Sequence, residues 1–170
     1  MNKVAKFEKV SFEQFKEDWL KLFQDSEEKV REIYDGIILP KRATLGSAGY
    51  DFYIPIDMKF DPLEKKRIPT GIRVKIDEGW VLQLYPRSSL GFKYGFRLAN
   101  TVGIIDADYY HSDNEGHIQL SLVNENHENL MVELKKGEAV IQGIFVSFGI
   151  TEDDNATNTR NGGFGSTNKR

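Results

Sequence analysis

Two patterns of apolar residues divide the chain near residue 37. Before that point, apolar residues recur every three or four positions, as on one face of a helix, at Phe12, Phe15, Trp19, Leu22 and Phe23. Ser11 followed by Gln14 is typical of a capping box, so we predict a helix that starts there. A second short helix is predicted over residues 26–34, with Gly36 as its stop. Such a stripe usually packs on its own domain, and a partner-binding helix is the alternative.

After residue 37, apolar and polar residues alternate or form short apolar runs, which indicates β-strands. The clearest strand segments are residues 72–76, 80–85, 118–122 and 140–146. Turn residues separate them at short intervals, as at residues 69–71 and 77–79. Many short strands at close spacing indicate a sandwich or a barrel. The polar, aperiodic residues 153–161 are predicted to link this region to a glycine-rich C-terminal end.

Composition and charge restrict the classes of function. A length of 170 residues is most simply one domain, and a net charge of −3 argues against a nucleic-acid polymer as partner, although it permits a small phosphorylated ligand. The absence of cysteine removes disulfides, thiolate zinc sites and a cysteine nucleophile. No segment approaches a membrane span and the N-terminus lacks a signal-peptide core, so we expect no membrane partner and a cytoplasmic protein. Three histidines lack metal-ligand spacing and are predicted to lie at the surface or in turns: His111, His117 and His127.

Several segments combine residue types that suit a nucleotide. Arg87 and the two serines after it follow an apolar strand, and guanidinium and hydroxyl groups suit phosphate oxygens. Asp106 follows two isoleucines, so a partly desolvated carboxylate there could orient a water. Residues 160–167 combine an arginine, three glycines, two hydroxyls and Phe164, whose ring could stack on a base. Taken singly, these segments are equally compatible with ordinary turns and a disordered tail.

Taken in order, five segments resemble the motifs of the trimeric dUTPase family, the deoxyuridine triphosphate nucleotidohydrolases. They are residues 47–52, 86–91, 103–109, 137–142 and 160–167, and the resemblance covers about residues 38–167. It implies an all-β fold, a distorted jelly-roll β-barrel that assembles as a homotrimer with active sites shared between subunits. We therefore expect an N-terminal helical extension over residues 1–37, the barrel domain over 38–152 and a flexible C-terminal arm over 153–170.

The resemblance also implies a reaction and a role for each motif residue. Asp106 would orient the water that attacks the α-phosphorus of dUTP, giving dUMP and pyrophosphate, which keeps uracil out of DNA and supplies dUMP for thymidylate synthesis. Tyr109 would lie against the deoxyribose and exclude nucleotides that carry a 2′-hydroxyl. Mg²⁺ would be held by phosphates and water with no direct protein ligand, and Asp51 would be at most outer-sphere. The implied substrate contacts are Arg87, Ser88, Ser89 and Gln142 for the triphosphate, Asn100, Gly103, Ile104 and Ile105 for the uracil, and Arg160, Phe164, Gly165, Ser166 and Thr167 from the tail.

Three features depart from the family pattern. Residues 110–115 lengthen the third motif before Gly116, and Arg160 sits one residue nearer the glycines than in the commonest form. The N-terminal helical segment has no counterpart, so it could wrap the trimer or bind an unidentified protein.

Two other functions use the same fold. The sister family, dCTP deaminase, has a catalytic glutamate where this chain has Ser121, and a serine cannot act as the acid–base for amine loss. A regulatory binding protein is the second alternative. The intact motif residues argue against a loss of catalysis, although they leave room for an added regulatory role.

Overall fold

Strands dominate the chain after residue 37, as the alternation of apolar and polar residues predicts. The computed structural model describes residues 2–157. In that range the strands are β1 (Ala5–Lys9), β2 (Lys41–Arg42), β3 (Tyr50–Tyr53), β4 (Met58–Phe60), β5 (Lys65–Pro69), β6 (Ile72–Ile76), β7 (Trp80–Pro86), β8 (Phe96–Leu98), β9 (Gly103–Ile105), β10 (Gln119–Asn124), β11 (Val132–Leu134) and β12 (Ala139–Ser147). The helices are α1 (Phe12–Leu20), α2 (Glu27–Asp35), α3 (Ser88–Tyr94) and a 3-10 turn (Ala107–His111). The protein is therefore mostly β, with three α-helices.

The strands form two larger sheets and two paired ribbons. One sheet has the order β2-β3-β12-β7-β9, the other has the order β5-β10-β8, and β1 pairs with β6 as β4 does with β11. Every pairing is antiparallel. One apolar core contains side chains from both sheets, among them Phe52, Leu82, Leu84, Leu98 and Leu122. Two sheets that share one core match the predicted sandwich or barrel.

The N-terminal segment contains both predicted helices and one strand that the sequence analysis missed. Ser11 accepts a hydrogen bond from the Gln14 backbone N–H at 3.2 Å, so Ser11 is the N-cap as predicted. The reciprocal bond of a capping box is not made, because the Ser11 backbone N–H donates to Glu115 and the Gln14 amide donates to Asp18. Residues 5–9 precede it as β1, which pairs with β6 along its whole length, from Ala5 opposite Ile76 to Lys9 opposite Ile72. The extension therefore adds a strand to the barrel as well as two helices.

The apolar stripe of α1 packs inside the chain except for Leu22, which follows the helix and is 41% exposed. Phe15 and Trp19 are fully buried and form a second cluster with Val30 and Ile33 of α2. Phe23 and Ile37 contact both this cluster and the main core. Truncation of a buried aromatic side chain typically costs about 3–5 kcal/mol, so this cluster anchors the helices to the barrel. The packing favours the first interpretation of the stripe, a helix that packs on its own domain.

The prediction for His117 is wrong. His111 and His127 are exposed as expected, whereas His117 is fully buried. Its Nδ1 lies 2.7 Å from Asp18 Oδ2 on α1, and its Nε2 accepts the backbone N–H of Gly71 at 2.8 Å. A buried imidazole needs partners for both nitrogens, and here two distant segments of the chain supply them.

Of the helices within residues 2–157, none has both the length and the apolar character that a bilayer crossing requires.

Candidate active site

A cavity of about 300 Å³ opens where β8 and β9 separate. Strand β8 pairs with β10 and β9 pairs with β7, so the two neighbouring strands belong to different sheets and leave a gap between them. The four residues expected to contact a base all line this cavity: Asn100, Gly103, Ile104 and Ile105. Its volume is at the small end of ligand pockets, as a single base would require.

Two local features shape the wall of the cavity. Thr101 has φ +66°, and the Val102 N–H donates to the Asn100 carbonyl at 2.7 Å, so the turn between β8 and β9 is tight. A Cβ on Gly103 would lie 3.1 Å from Leu84 Cβ, so glycine lets β9 approach β7 closely. The extended backbone of β9 thereby borders the cavity.

Three residues of β10 that sequence reasoning did not assign to a base line the cavity: Gln119, Leu120 and Ser121. Consecutive residues of a strand point to opposite faces, so the alternation of β10 alone could not predict that all three border the cavity. Ser121, which the sequence analysis placed where dCTP deaminase has its glutamate, is therefore a residue of the cavity.

Arg97 fixes the rim of the cavity. Its guanidinium donates to the Leu98 carbonyl at 2.7 Å and forms a two-point ion pair with Glu125, in which Nε lies 2.6 Å from Oε2. The hydrogen bond to Glu125 raises the pKa of Arg97 above its ordinary value. Because a bidentate pair holds a guanidinium in one orientation, the Leu98 carbonyl beside the cavity is held as well.

A polar cluster lies where β3, β7 and β12 meet. Gln142 of β12 is opposite Asp51 of β3 and opposite Tyr85 of β7. Arg87, which follows β7, places Nε 3.2 Å from Asp51 Oδ1 and donates from Nη1 to the Ala139 carbonyl at 3.2 Å. Gln142 Nε2 donates to the Pro86 carbonyl at 3.2 Å. Residues from the first, second and fourth motifs are therefore in one cluster.

Two serines complete the polar cluster at the start of α3, a helix that sequence reasoning did not predict. Ser88 and Ser89 are exposed in its first turn, and Arg87 at the N-cap makes no side-chain capping bond. A guanidinium, two hydroxyls and an amide in one place suit the oxygens of a phosphate chain.

Asp106 continues the chain from β9 toward a tight turn. It is half-buried and extended (φ −78°, ψ 157°), and its carbonyl accepts the Tyr109 N–H at 3.2 Å. Tyr109 is only 5% exposed, and its hydroxyl donates to the His117 carbonyl at 2.8 Å. Only a small part of the Tyr109 ring could therefore contact a ligand. The tail residues Arg160, Phe164, Gly165, Ser166 and Thr167 lie outside the described residues.

The comparisons with known proteins agree on one family. The sequence model described as dUTPase matches residues 35–168. A deoxyuridine 5'-triphosphate nucleotidohydrolase of Lactococcus lactis subsp. lactis (strain IL1403) is 45% identical over 135 residues, which cover 78% of this chain and 89% of that protein. The protein of the same name from Finegoldia magna is 38% identical over 136 residues, which cover 76% and 90%.

Solved structures show the same fold. The crystal structure of dUTPase from Streptococcus mutans has a TM-score of 0.63 and 31% identity, over 86% of this chain and 98% of that one. The dUTPase from phage phi11 of S. aureus has a TM-score of 0.63 over 96% of this chain and 99% of that one, and at 18% identity it supports the fold alone.

A mostly β fold with a base-sized cavity and a polar cluster suited to phosphate fits the class of enzymes that act on nucleotides. The matches identify the family within this class, because a family model and relatives of known name cover most of the chain. The chain belongs to the dUTPase family, as its five motifs predict.

Proposed function

We propose that this protein hydrolyses dUTP to dUMP and pyrophosphate. One observation carries the proposal: the cavity is bordered by Asn100 and by the extended backbone of β9, which leads directly into Asp106. Asp106 is the only residue that we assign to the chemical step, and it follows directly on β9, which would contact the base. The names of the relatives, deoxyuridine 5'-triphosphate nucleotidohydrolases, support the same substrate.

The backbone of β9 and Asn100 would recognise uracil through hydrogen bonds. A cytosine presents an amino donor where uracil presents a carbonyl acceptor, so a group that donates to uracil would be left unpaired. An unpaired buried polar group costs about 1–3 kcal/mol, and a site built on such groups discriminates strongly. The Ser121 hydroxyl at the cavity also supports hydrolysis over deamination, because it cannot exchange the protons that amine loss requires.

The triphosphate would be held by the polar cluster of another subunit. Residues paired across strands point to the same face of a sheet and successive residues to opposite faces. Asp51, Gln142 and Tyr85 therefore share one face, whereas Gly143, Leu84 and Gly103 share the other. The cavity includes Leu84 and Gly103, and also Ile104, which pairs with Gln83 on the face of Tyr85, so it opens at the β9 edge of this sheet. None of Asp51, Arg87 and Gln142 lines it, and two separate half-sites in one chain support a homotrimer with shared active sites.

The chemical step follows from these positions. Asp106 would accept a hydrogen bond from the attacking water and hold it in line with the α-phosphorus, and pyrophosphate would leave toward Arg87, Ser88, Ser89 and Gln142. Positioning and charge stabilisation supply most of the rate in such transfers. The tail residues Arg160, Phe164, Gly165, Ser166 and Thr167 would close over the bound nucleotide, with Phe164 on the uracil.

The residues present fit a magnesium ion that arrives with the substrate. Asp51, the acid of the polar cluster, is already paired with Arg87, so it suits an outer-sphere contact through water. When bound, Mg²⁺ would neutralise charge on the phosphate oxygens and fix the conformation of the triphosphate chain.

A panel of nucleotides tests the proposed function. Purified protein with Mg²⁺ should release pyrophosphate from dUTP and act little on UTP or dCTP. Ammonia release from dCTP would indicate the deaminase instead. Absence of pyrophosphate from dUTP, with folding verified by circular dichroism, would overturn the proposal.

A further inference from the structure

Two of the three departures from the family pattern, the lengthened third motif and the N-terminal segment, contact each other. The inserted segment (residues 110–116) reaches the N-terminal segment at two surface points. Glu115 accepts from the Ser11 backbone N–H at 2.7 Å and from its hydroxyl at 2.6 Å, and the Tyr110 hydroxyl donates to Glu8 Oε2 at 2.7 Å. The cap of α1 is therefore tied to the inserted segment.

Beneath these contacts lies a buried ionisable pair, Asp18 and His117. Asp18 is 6% exposed and His117 is 0% exposed. Because the Gly71 N–H donates to Nε2 of His117, that nitrogen carries no proton, and Nδ1–H donates to Asp18. Gln14 and Lys21 of α1 donate to the carboxylate of Asp18 at 2.9 and 3.2 Å. The imidazole is thus fixed in one tautomer and one orientation.

His117 in turn holds Tyr109. The His117 carbonyl accepts the Tyr109 hydroxyl at 2.8 Å, and the Asn114 amide donates to the same hydroxyl at 2.8 Å. Gly116, with φ +70°, brings the chain so close that a Cβ there would lie 2.7 Å from the Tyr109 carbonyl. The contacts of α1 with His117 therefore end at a residue three positions from Asp106.

We propose that Asp18 and His117 are positioning residues for Tyr109, through which α1 fixes the sugar side of the active site. A longer connection has more conformations to lose on ordering, so the inserted segment needs an anchor that a shorter turn would not. The buried pair, with Glu115 on Ser11, supplies it. This inference rests on the proposed function, in which Tyr109 lies against the deoxyribose.

The test compares kcat/KM for dUTP with kcat/KM for UTP in the full-length protein. Asp18→Asn removes the charge that orients His117, and Asn114→Ala removes one hydrogen bond to the Tyr109 hydroxyl. In both variants we expect the dUTP/UTP ratio to fall about tenfold, because a looser ring excludes the 2′-hydroxyl less well. The matched control is Glu13→Gln, which breaks a surface pair with Lys16 on the same helix and should leave the ratio unchanged.

The outcomes separate positioning from stability alone. If the melting temperature falls while the ratio keeps its wild-type value in folded protein, the pair is structural and the inference is overturned. If Asp18→Asn does not fold, Asn114→Ala decides, since Asn114 lies in the half-buried surface segment. Wild-type protein that releases no pyrophosphate from dUTP would instead refute the proposed function, before any variant is compared.

Discussion

Asp18 shows how single residues join the N-terminal helices to the barrel. Burial opposes its charge, but the hydrogen bonds from His117 and Gln14 outweigh that penalty and lower its pKa to about 2, from an ordinary value of 3.8. Lys21 contributes in the same direction. A carboxyl whose folded pKa is depressed stabilises the fold above its unfolded pKa and loses that contribution as the pH falls toward the folded pKa.

Acid unfolding should report this contribution. Between about pH 4 and pH 2, wild-type protein should lose about 2 kcal/mol of unfolding free energy through Asp18. Asp18→Asn has no carboxyl group to protonate at this position. Its unfolding free energy should therefore fall less steeply over the same pH interval. Urea titrations at pH 5, 4, 3 and 2.5 measure the difference, with Glu13→Gln as the control. Parallel curves for Asp18→Asn and wild type would show that Asp18 carries no such contribution.

The residues that could be predicted from the sequence are those whose chemistry is local. Asn100 and residues 103–105 stand within six positions, and the turn between them brings all four to the cavity. The roles of Arg97, Gln119 and His117 were not predicted, because they depend on partners that are distant in the chain. These partners are Glu125 for Arg97, strand β5 for Gln119 and Asp18 for His117. Hydrophobic alternation predicts which face a side chain takes, but it does not say what lies on that face.

At the scale of elements, the contact between β3 and β12 determines the shape of the polar cluster. Gly49 precedes β3, and a Cβ there would lie 2.5 Å from Gln142 Oε1. The clash is with the far end of a flexible side chain, so a methyl group would displace the Gln142 amide and leave the strands in place. Gly46 stands three residues earlier, and a Cβ there would meet nothing within 4 Å.

Gly49→Ala should therefore impair substrate binding more than stability. A hydrogen bond to a charged group contributes about 1.5–3 kcal/mol, so we expect KM for dUTP to rise about tenfold or more, with a small change in melting temperature. Gly46→Ala is the matched control and should keep the wild-type KM. Equal KM values for the two variants would show that Gln142 does not bind the triphosphate.

The elements that sequence analysis missed are short and weakly patterned. In β1 only Ala5 and Phe7 pack against the core. Two apolar positions are too few to indicate the alternation of a strand. In α3 the serines and Gly91 are typical of a loop, and the helix ends after seven residues at Gly95, with φ 61°. The longer strands β7 and β12 were predictable because their apolar runs are buried across a central part of the sheet.

At the scale of the whole molecule, the proposed site would need two chains. The polar cluster lies where β3, β12 and β7 meet, whereas the cavity opens at β9, the edge strand of the same sheet, and none of Asp51, Arg87 and Gln142 lines it. Apolar side chains near both halves are exposed in the single chain, with Phe92 of α3 at 93% and Ile104 of β9 at 51%. Exposed apolar groups beside functional residues fit an interface between subunits. The proposed homotrimer would bring the cavity of one subunit to the polar cluster of its neighbour.

Complementation between two inactive variants tests this arrangement most directly. Asp106→Asn removes the group that orients the water, and Arg87→Ala removes the phosphate cation, so each homotrimer should have almost no dUTP hydrolysis. When the two proteins are unfolded together in equal amounts and refolded, half the cavities and half the polar clusters remain intact. Random assembly then gives about one quarter of wild-type activity if each site is shared by two subunits. Activity that stays at the level of the separate variants, in refolded mixed trimers, would contradict the shared site.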